Sequence, residues 1–224
     1  MRLEIASYKA VKYACLNFHY SKSVPVNTFG YSVFNDKNEW CGVVLYGTGA
    51  SPQIGVQFGL KQGQVIEFVR MALNGKQEIP VSKIMAISLK LFKKMNPLVK
   101  ICVSYADQEQ GHIGTIYQAS NWYYCGEVKS PPIIEGKHNK SLGGSIGAAR
   151  KILKREPKVH YPKPKHKYIY PLDKSVIAMC KELSKPYPKK LSGVVESNAN
   201  SQLDVKCVTT TLTPLVTDTK IIEK

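Results

Sequence analysis

An aspartate closes an apolar run, Asp107 in ICVSYAD, and Ser104, Gln108, Gln110 and His112 surround it in the chain. The stretch Ile101–Val128 reads as strand, glycine-flanked helix and aromatic strand, one crossover unit. Open α/β sheets place ligands outside the carboxyl ends of their strands. The acid and its polar neighbours therefore fall where chemistry is expected. A second group, His19-Tyr20-Ser21, follows a helical stretch, and Arg70 lies inside the apolar strand QVIEFVRMAL. A carboxylate at a strand end can orient an amine or accept its proton. A phenol such as Tyr20 can donate to a developing oxyanion. Arg70 can hold a carboxyl or phosphate group, or pair with Asp107. His19 can move a proton; with Asp107 or His112 it has the donor types for divalent iron or zinc. Each residue also has a structural reading. Asp107 can cap a turn, the His-Tyr pair can pack at a helix end, and Arg70 can be a buried ion-pair partner.

The elements that would position these groups follow from spacing. Apolar side chains at helical spacing over 6–18 predict a first helix that delivers His19 and Tyr20 to a loop ending at Pro25. Thr28–Phe34 and Trp40–Tyr46 predict a hairpin around Asp36-Lys37-Asn38. A glycine-rich connection, 47–63, is long for a compact domain, as functional loops often are. In Gln64–Leu73, alternation sends Val65, Glu67, Val69 and Met71 to one face and Ile66, Phe68, Arg70 and Ala72 to the other. Ser82 is expected to cap a helix over 83–95, ended by Pro97. Later in the chain, 145–155 predicts a helix, HKYIY at 166–170 a short strand, and 175–184 a short helix. Three regions result: a core over 1–130, a basic extension over 131–188 that packs on or continues it, and a loosely attached tail over 189–224.

Charge separates these regions. The chain of 224 residues carries a net +16, and the 54 residues 137–190 hold 15 basic and 3 acidic groups, three quarters of the excess. The basic residues interleave with Tyr161, His166, Tyr168 and Tyr170, a pattern that suits phosphates and bases. A solvated basic surface is the alternative. Lys151, Lys154, Arg155, Lys163, Lys165 and Lys167 are the expected phosphate contacts, with Tyr168 near a base. Six cysteines form no CxxC pair, and Cys15, Cys41, Cys102 and Cys180 sit in apolar runs, which predicts buried free thiols and a reducing cytoplasm. No run of 18 apolar residues marks a membrane span, and the first 21 residues do not read as a signal peptide.

Two passages, QVIEFVRMAL–loop–SKIMAISLKLFKK and VSYAD–GHIGTIYQASNWYYCGE, resemble the core of the GNAT N-acyltransferase fold. That resemblance implies a mixed α/β (α+β) architecture with a central sheet flanked by helices. It departs at the loop from Asn74 to Ser82, which has one glycine and a proline where the family has bare amides for a coenzyme A pyrophosphate. The set HYSKSVP, GVVLYG, EFVRMAL, SYADQEQGHIGTIYQASNW, GKHNKS and KHKYIYPLDK is more specific and resembles the phage Mom-type DNA modification proteins, divergent members of that fold. Membership implies a transferase that converts adenine in double-stranded DNA to a carbamoylmethyl (glycinamide-like) derivative and protects phage DNA from restriction in the host cytoplasm. By the same resemblance Tyr20, Asp107, Arg70, His19 and Ser104 are the catalytic set. Ser82, Lys83, His112, Tyr117 and Asn121 would serve the donor, a glycine-derived group on coenzyme A or glycyl-tRNA. Two other classes remain open: an acyl- or aminoacyltransferase acting on another amine, and a catalytically inert DNA-binding protein.

Overall fold

The computed structural model describes residues 1–49, 52–135, 141–142 and 146–189. The expected tail and most of the GKHNKS motif thus lie outside the described residues. The elements in chain order are β1 (Arg2–Ile5), α1 (Tyr8–Asn17), β2 (Thr28–Phe34), β3 (Trp40–Gly47), β4 (Val65–Leu73), α2 (Val81–Met95), β5 (Ile101–Asp107), α3 (Thr115–Gln118), β6 (Tyr123–Val128), β7 (Ile133–Glu135), β8 (Ser141–Leu142), α4 (Ile146–Leu153), β9 (Val159–His160), β10 (Lys165–Pro171) and α5 (Ile177–Glu182). A seven-stranded mixed sheet in the order β1-β2-β3-β4-β5-β10-β6 forms the centre, with helices on both faces. The expected fold class, mixed α/β with a flanked central sheet, is the one observed. β1 is an edge strand that the sequence reading missed, being four residues long and mostly exposed.

Alternation along the strands sorts the core into two layers. Ile66, Phe68 and Cys102 join Ile84, Met85, Leu89 and Phe92 of α2 on one face. On the other, Val43, Leu45 and Ala72 pack on Val11, Ala14 and Cys15 of α1. Farther along that second face, Val65, Ile101, Val103 and Ile169 pack on Cys180 of α5 and on Ile54 and Phe58 of a 3-10 helix, Pro52–Phe58, inside the glycine-rich connection. Four of the five described cysteines are buried, as their apolar surroundings require; Cys125 is half-buried.

Three local expectations are corrected. The α2 cap position is held by Pro80, with no side-chain hydrogen bond, and Ser82 lies inside the first turn. Simple alternation in β4 fails at a bulge. Tyr46 pairs with Phe68 but Leu45 pairs with Arg70, so Val69 is the extra residue and everything after it changes face. Arg70 therefore points to the α1 layer, opposite to Phe68. Finally, the crossover from β5 to β6 is present, but β10 is inserted between its strands and runs antiparallel to both.

One glycine fixes how the α3 turn meets β10. Gly114 has φ +83°, and a Cβ built there would lie 2.3 Å from the ring of Tyr168. That ring is fully buried and its hydroxyl donates to the Ile113 carbonyl at 2.5 Å. Gly114→Ala should cost about 2–4 kcal/mol, because it adds a clash to an unfavourable backbone conformation. Chemical denaturation of the purified variant measures this.

Candidate active site

The bulge in β4 and the end of its pairing with β5 create the site. These two strands are parallel, and only Val65–Glu67 pairs with Ile101–Val103. Beyond that point the ladder stops and the strands part. Ser104 Oγ then donates to the Phe68 carbonyl at 2.8 Å and stands 2.7 Å from the Tyr117 hydroxyl. Its one proton is committed to the carbonyl, so it accepts from the phenol. Ser104 is 1% exposed. It is a strut at the base of the split. Tyr117 is buried with it, and burial pushes its phenol above the ordinary range.

Above this strut the predicted groups converge. Asp107 ends β5 and caps the next 3-10 turn, its Oδ1 accepting from the Glu109 amide at 3.0 Å. Its other oxygen, Oδ2, accepts from the Tyr20 hydroxyl at 3.4 Å, across 87 residues of chain. The cap and the contact with Tyr20 thus use different oxygens of Asp107. Burial, and then the Asp107 charge, push the Tyr20 phenol up to about 12. Tyr20 is therefore a neutral donor at ordinary pH. Its ring lies 4.2 Å from that of His19 and 5.6 Å, edge-on, from that of His112. His112, expected to serve the donor, lies beside Tyr20 and Asp107, because the Gly111 turn folds its amide onto the Asp107 carbonyl.

His19 is held down to about 3 by burial, and then by the Arg70 guanidinium. Its Nδ1 accepts from the Ser21 amide at 3.2 Å, which places the proton of the neutral ring on Nε2. His19 thus offers a hydrogen-bond donor rather than a base. The sign for stability follows: protonation of His19 favours the unfolded chain, whose histidine titrates near 6.5. Its contribution is complete above that pH and is lost as pH falls toward 3. His19→Gln should flatten the acid side of a stability-against-pH curve, read by urea midpoints at pH 4.5 and 7.5.

Arg70 donates from Nη1 to the Ser23 carbonyl, and its Nε is buried with no partner. It does not pair with Asp107. It ties the 18–25 loop to β4. The proposed iron or zinc donors fit poorly as a set. Tyr20 packs against both His19 and His112 and occupies an Asp107 oxygen, and no group of three His, Cys, Asp or Glu among the described residues could hold a metal.

The remaining expected contacts scatter. Ser82 and the exposed Lys83 begin α2. Asn121 is exposed at the end of the α3 turn, its left-handed φ of +58° being one that Asn tolerates. In the basic region, Lys151, Lys154 and Lys163 are exposed. Arg155 is forked onto Glu135, at 2.6 and 3.0 Å, and so is already neutralised. Lys165 pairs in register with Asp107. Lys167 is 8% exposed and Tyr168 is fully buried. Both lie on β10, an interior strand beside the edge strand β6, and the buried Tyr168 ring is unavailable to a base. Sequence reading missed this because a strand with lysines at alternate places reads as an exposed edge.

No helix among the described residues is long and apolar enough to cross a membrane. Solved structures with a similar outline include spermidine/spermine N-acetyltransferase SpeG of Vibrio cholerae, 10% identical, with 78% of this chain and 94% of that chain covered and a TM-score of 0.42. An acetyltransferase of Bacillus subtilis, in complex with CoA, is also 10% identical, with 76% and 97% covered and a TM-score of 0.42. No curated protein sequence matches at a significant level. The model of the Mom protein family matches residues 1–189, which span every strand and helix described above, and the chain belongs to that family.

Proposed function

We propose that this protein is a transferase that modifies adenine in DNA, adding a carbamoylmethyl group at the exocyclic amine and so shielding phage DNA from restriction in the host cytoplasm. Family membership supports the class of reaction. The observation that carries it is the pairing of Asp107 with Tyr20 at the mouth of the split between β4 and β5. The adenine amine is a poor nucleophile because its lone pair is delocalised into the ring. A fixed carboxylate that accepts its proton as the new N–C bond forms answers that difficulty. The Tyr20 phenol, neutral at working pH, and the His19 Nε2–H are donors for charge that develops on the incoming group.

A paired, stacked adenine cannot reach Asp107, so the base is flipped out of the duplex or taken from unpaired DNA. The exposed Lys151, Lys154 and Lys163 supply sequence-tolerant attraction for the backbone. The donor is a glycine-derived group, carried as a coenzyme A thioester or as glycyl-tRNA. Attack of the amine on its carbonyl releases the thiol or the tRNA hydroxyl and gives a glycyl amide. That amide isomerises to the carbamoylmethyl amine when the glycyl nitrogen adds to C6 of the base and the original exocyclic nitrogen leaves it as the terminal amide.

Nucleosides from DNA of cells expressing the chain should contain a deoxyadenosine heavier by one glycinamide unit. The adduct should survive mild alkali, which separates it from the isomeric glycyl amide. Unmodified deoxyadenosine, in cells that contain folded protein and the phage host's factors, would overturn this reading.

A further inference from the structure

A cavity of about 480 Å³ lies on the α5 side of the sheet, where β6 bulges away from β10. Lys167 and Cys125 line it from the strands, Gln57 and Phe58 from the 3-10 helix, and Ser184 and Lys185 from the segment after α5. The exposed Glu182 and Leu183 also line it. Lys167 is the unusual member. Only 8% of it is exposed, yet the groups that hold it are neutral: the Gln57 amide oxygen accepts from its ammonium, which sits 4.7 Å above the Phe58 ring. It forms no ion pair among the described residues. A buried charge without a counter-charge is costly, and burial does lower its pKa.

Lys185 brings a second ammonium. Its backbone amide donates to the Tyr124 carbonyl at 2.7 Å, and its side chain folds onto Gly126, where a Cβ would lie 3.0 Å from Nζ. Gly126, at φ +91°, is part of the bulge opposite Lys167. Bulges of this kind recur beside functional sites. The donors are thus two ammonium groups and a hydroxyl, with no guanidinium. Point charges of this kind suit a tetrahedral phosphate better than a planar carboxylate, which favours the arginine fork.

The cavity also has a defined relation to the catalytic acid. Lys165 pairs with Asp107, and Lys167 stands two residues farther along β10. Alternation puts both on the Asp107 face, about 7 Å apart along the strand.

We propose that this cavity is a phosphate-binding subsite beside the active site, with Lys167 at its floor and Lys185 at its wall. The phosphate comes either from the nucleic-acid strand that carries the target adenine or from a free organic phosphate. The choice between them rests on the DNA-modification reading; the site itself does not.

Cys125 provides a reporter, because it lines the cavity and is half-buried. Its alkylation in the full-length protein should be followed by peptide mass spectrometry, with inorganic phosphate, deoxyadenosine 5′-monophosphate or an unpaired oligodeoxynucleotide present. Protection by a phosphate-bearing probe, weakened about tenfold in Lys185→Gln and in Lys167→Met, is the expected result. Protection by the monophosphate and inorganic phosphate assigns a free ligand; protection by the oligonucleotide alone assigns a backbone phosphate. Lys185→Gln alters an exposed residue and keeps the test valid if Lys167→Met does not fold. Equal alkylation with and without every probe, or protection unchanged in folded Lys185→Gln, overturns the proposal. Since no modified base is measured, absence of DNA modification leaves this test unaffected.

Discussion

Asp107→Asn should leave the protein folded and lower deoxyadenosine modification by about 100-fold, the scale on which a general base contributes. The substitution is selective because the two carboxylate oxygens do different work. Oδ1 caps the turn that follows β5, a role asparagine performs as well as aspartate. Oδ2 faces Tyr20, and the substitution removes its charge and its ability to accept a proton. Tyr20→Phe should also reduce modification, by about 10- to 100-fold, since it deletes a neutral donor and leaves the ring packed against His19 and His112. Quantitative nucleoside mass spectrometry, with circular dichroism as the check on folding, measures both. Near-normal modification by folded Asp107→Asn would reduce Asp107 to a cap.

Removing Val69 should be as damaging to activity as losing the acid, with little loss of fold. The reason is the pairing register. Phe68 already stands opposite Tyr46, and Arg70 opposite Leu45, so deletion leaves every β3–β4 partner in place. What disappears is the extra residue that bends β4. A straightened β4 can continue its parallel ladder with β5 past Glu67, closing the split and displacing the Ser104 strut from the Phe68 carbonyl. We expect a cooperative unfolding transition close to that of the parent and modification reduced by about 100-fold or more. Retention of activity in the deletion variant would show that the split is not where the reaction takes place.

The parts of the site that sequence reading recovered are those carried by short contiguous groups. HYS and SYAD named Tyr20 and Asp107, and the chain brings them into hydrogen-bonding range. Strands β2 to β5 follow period-two and apolar patterning and were legible for that reason. A bulge leaves no mark on such a pattern, so Arg70 was assigned to the wrong face. The HKYIY strand was recognised, but nothing local says that it inserts between β5 and β6. The burial of Tyr168, expected to lie near a base, depends on that long-range placement. Arg155 was misjudged for a similar reason, since its partner Glu135 lies 20 residues away in a separate small sheet, β8-β7-β9.

The insertion of β10 also sets the order in which the molecule can be assembled. β5 has three partners in β4 but seven in β10. Until residue 171 has left the ribosome, the strand that ends in Asp107 is a nearly bare edge, open to pairing with other chains. Closing it requires contacts across 58 to 70 residues, the kind of late, non-local step that slows folding. The nascent polypeptide therefore spends the translation of its basic segment unfinished and prone to aggregate. A gene cut just before β10 would yield not a smaller enzyme but an insoluble one.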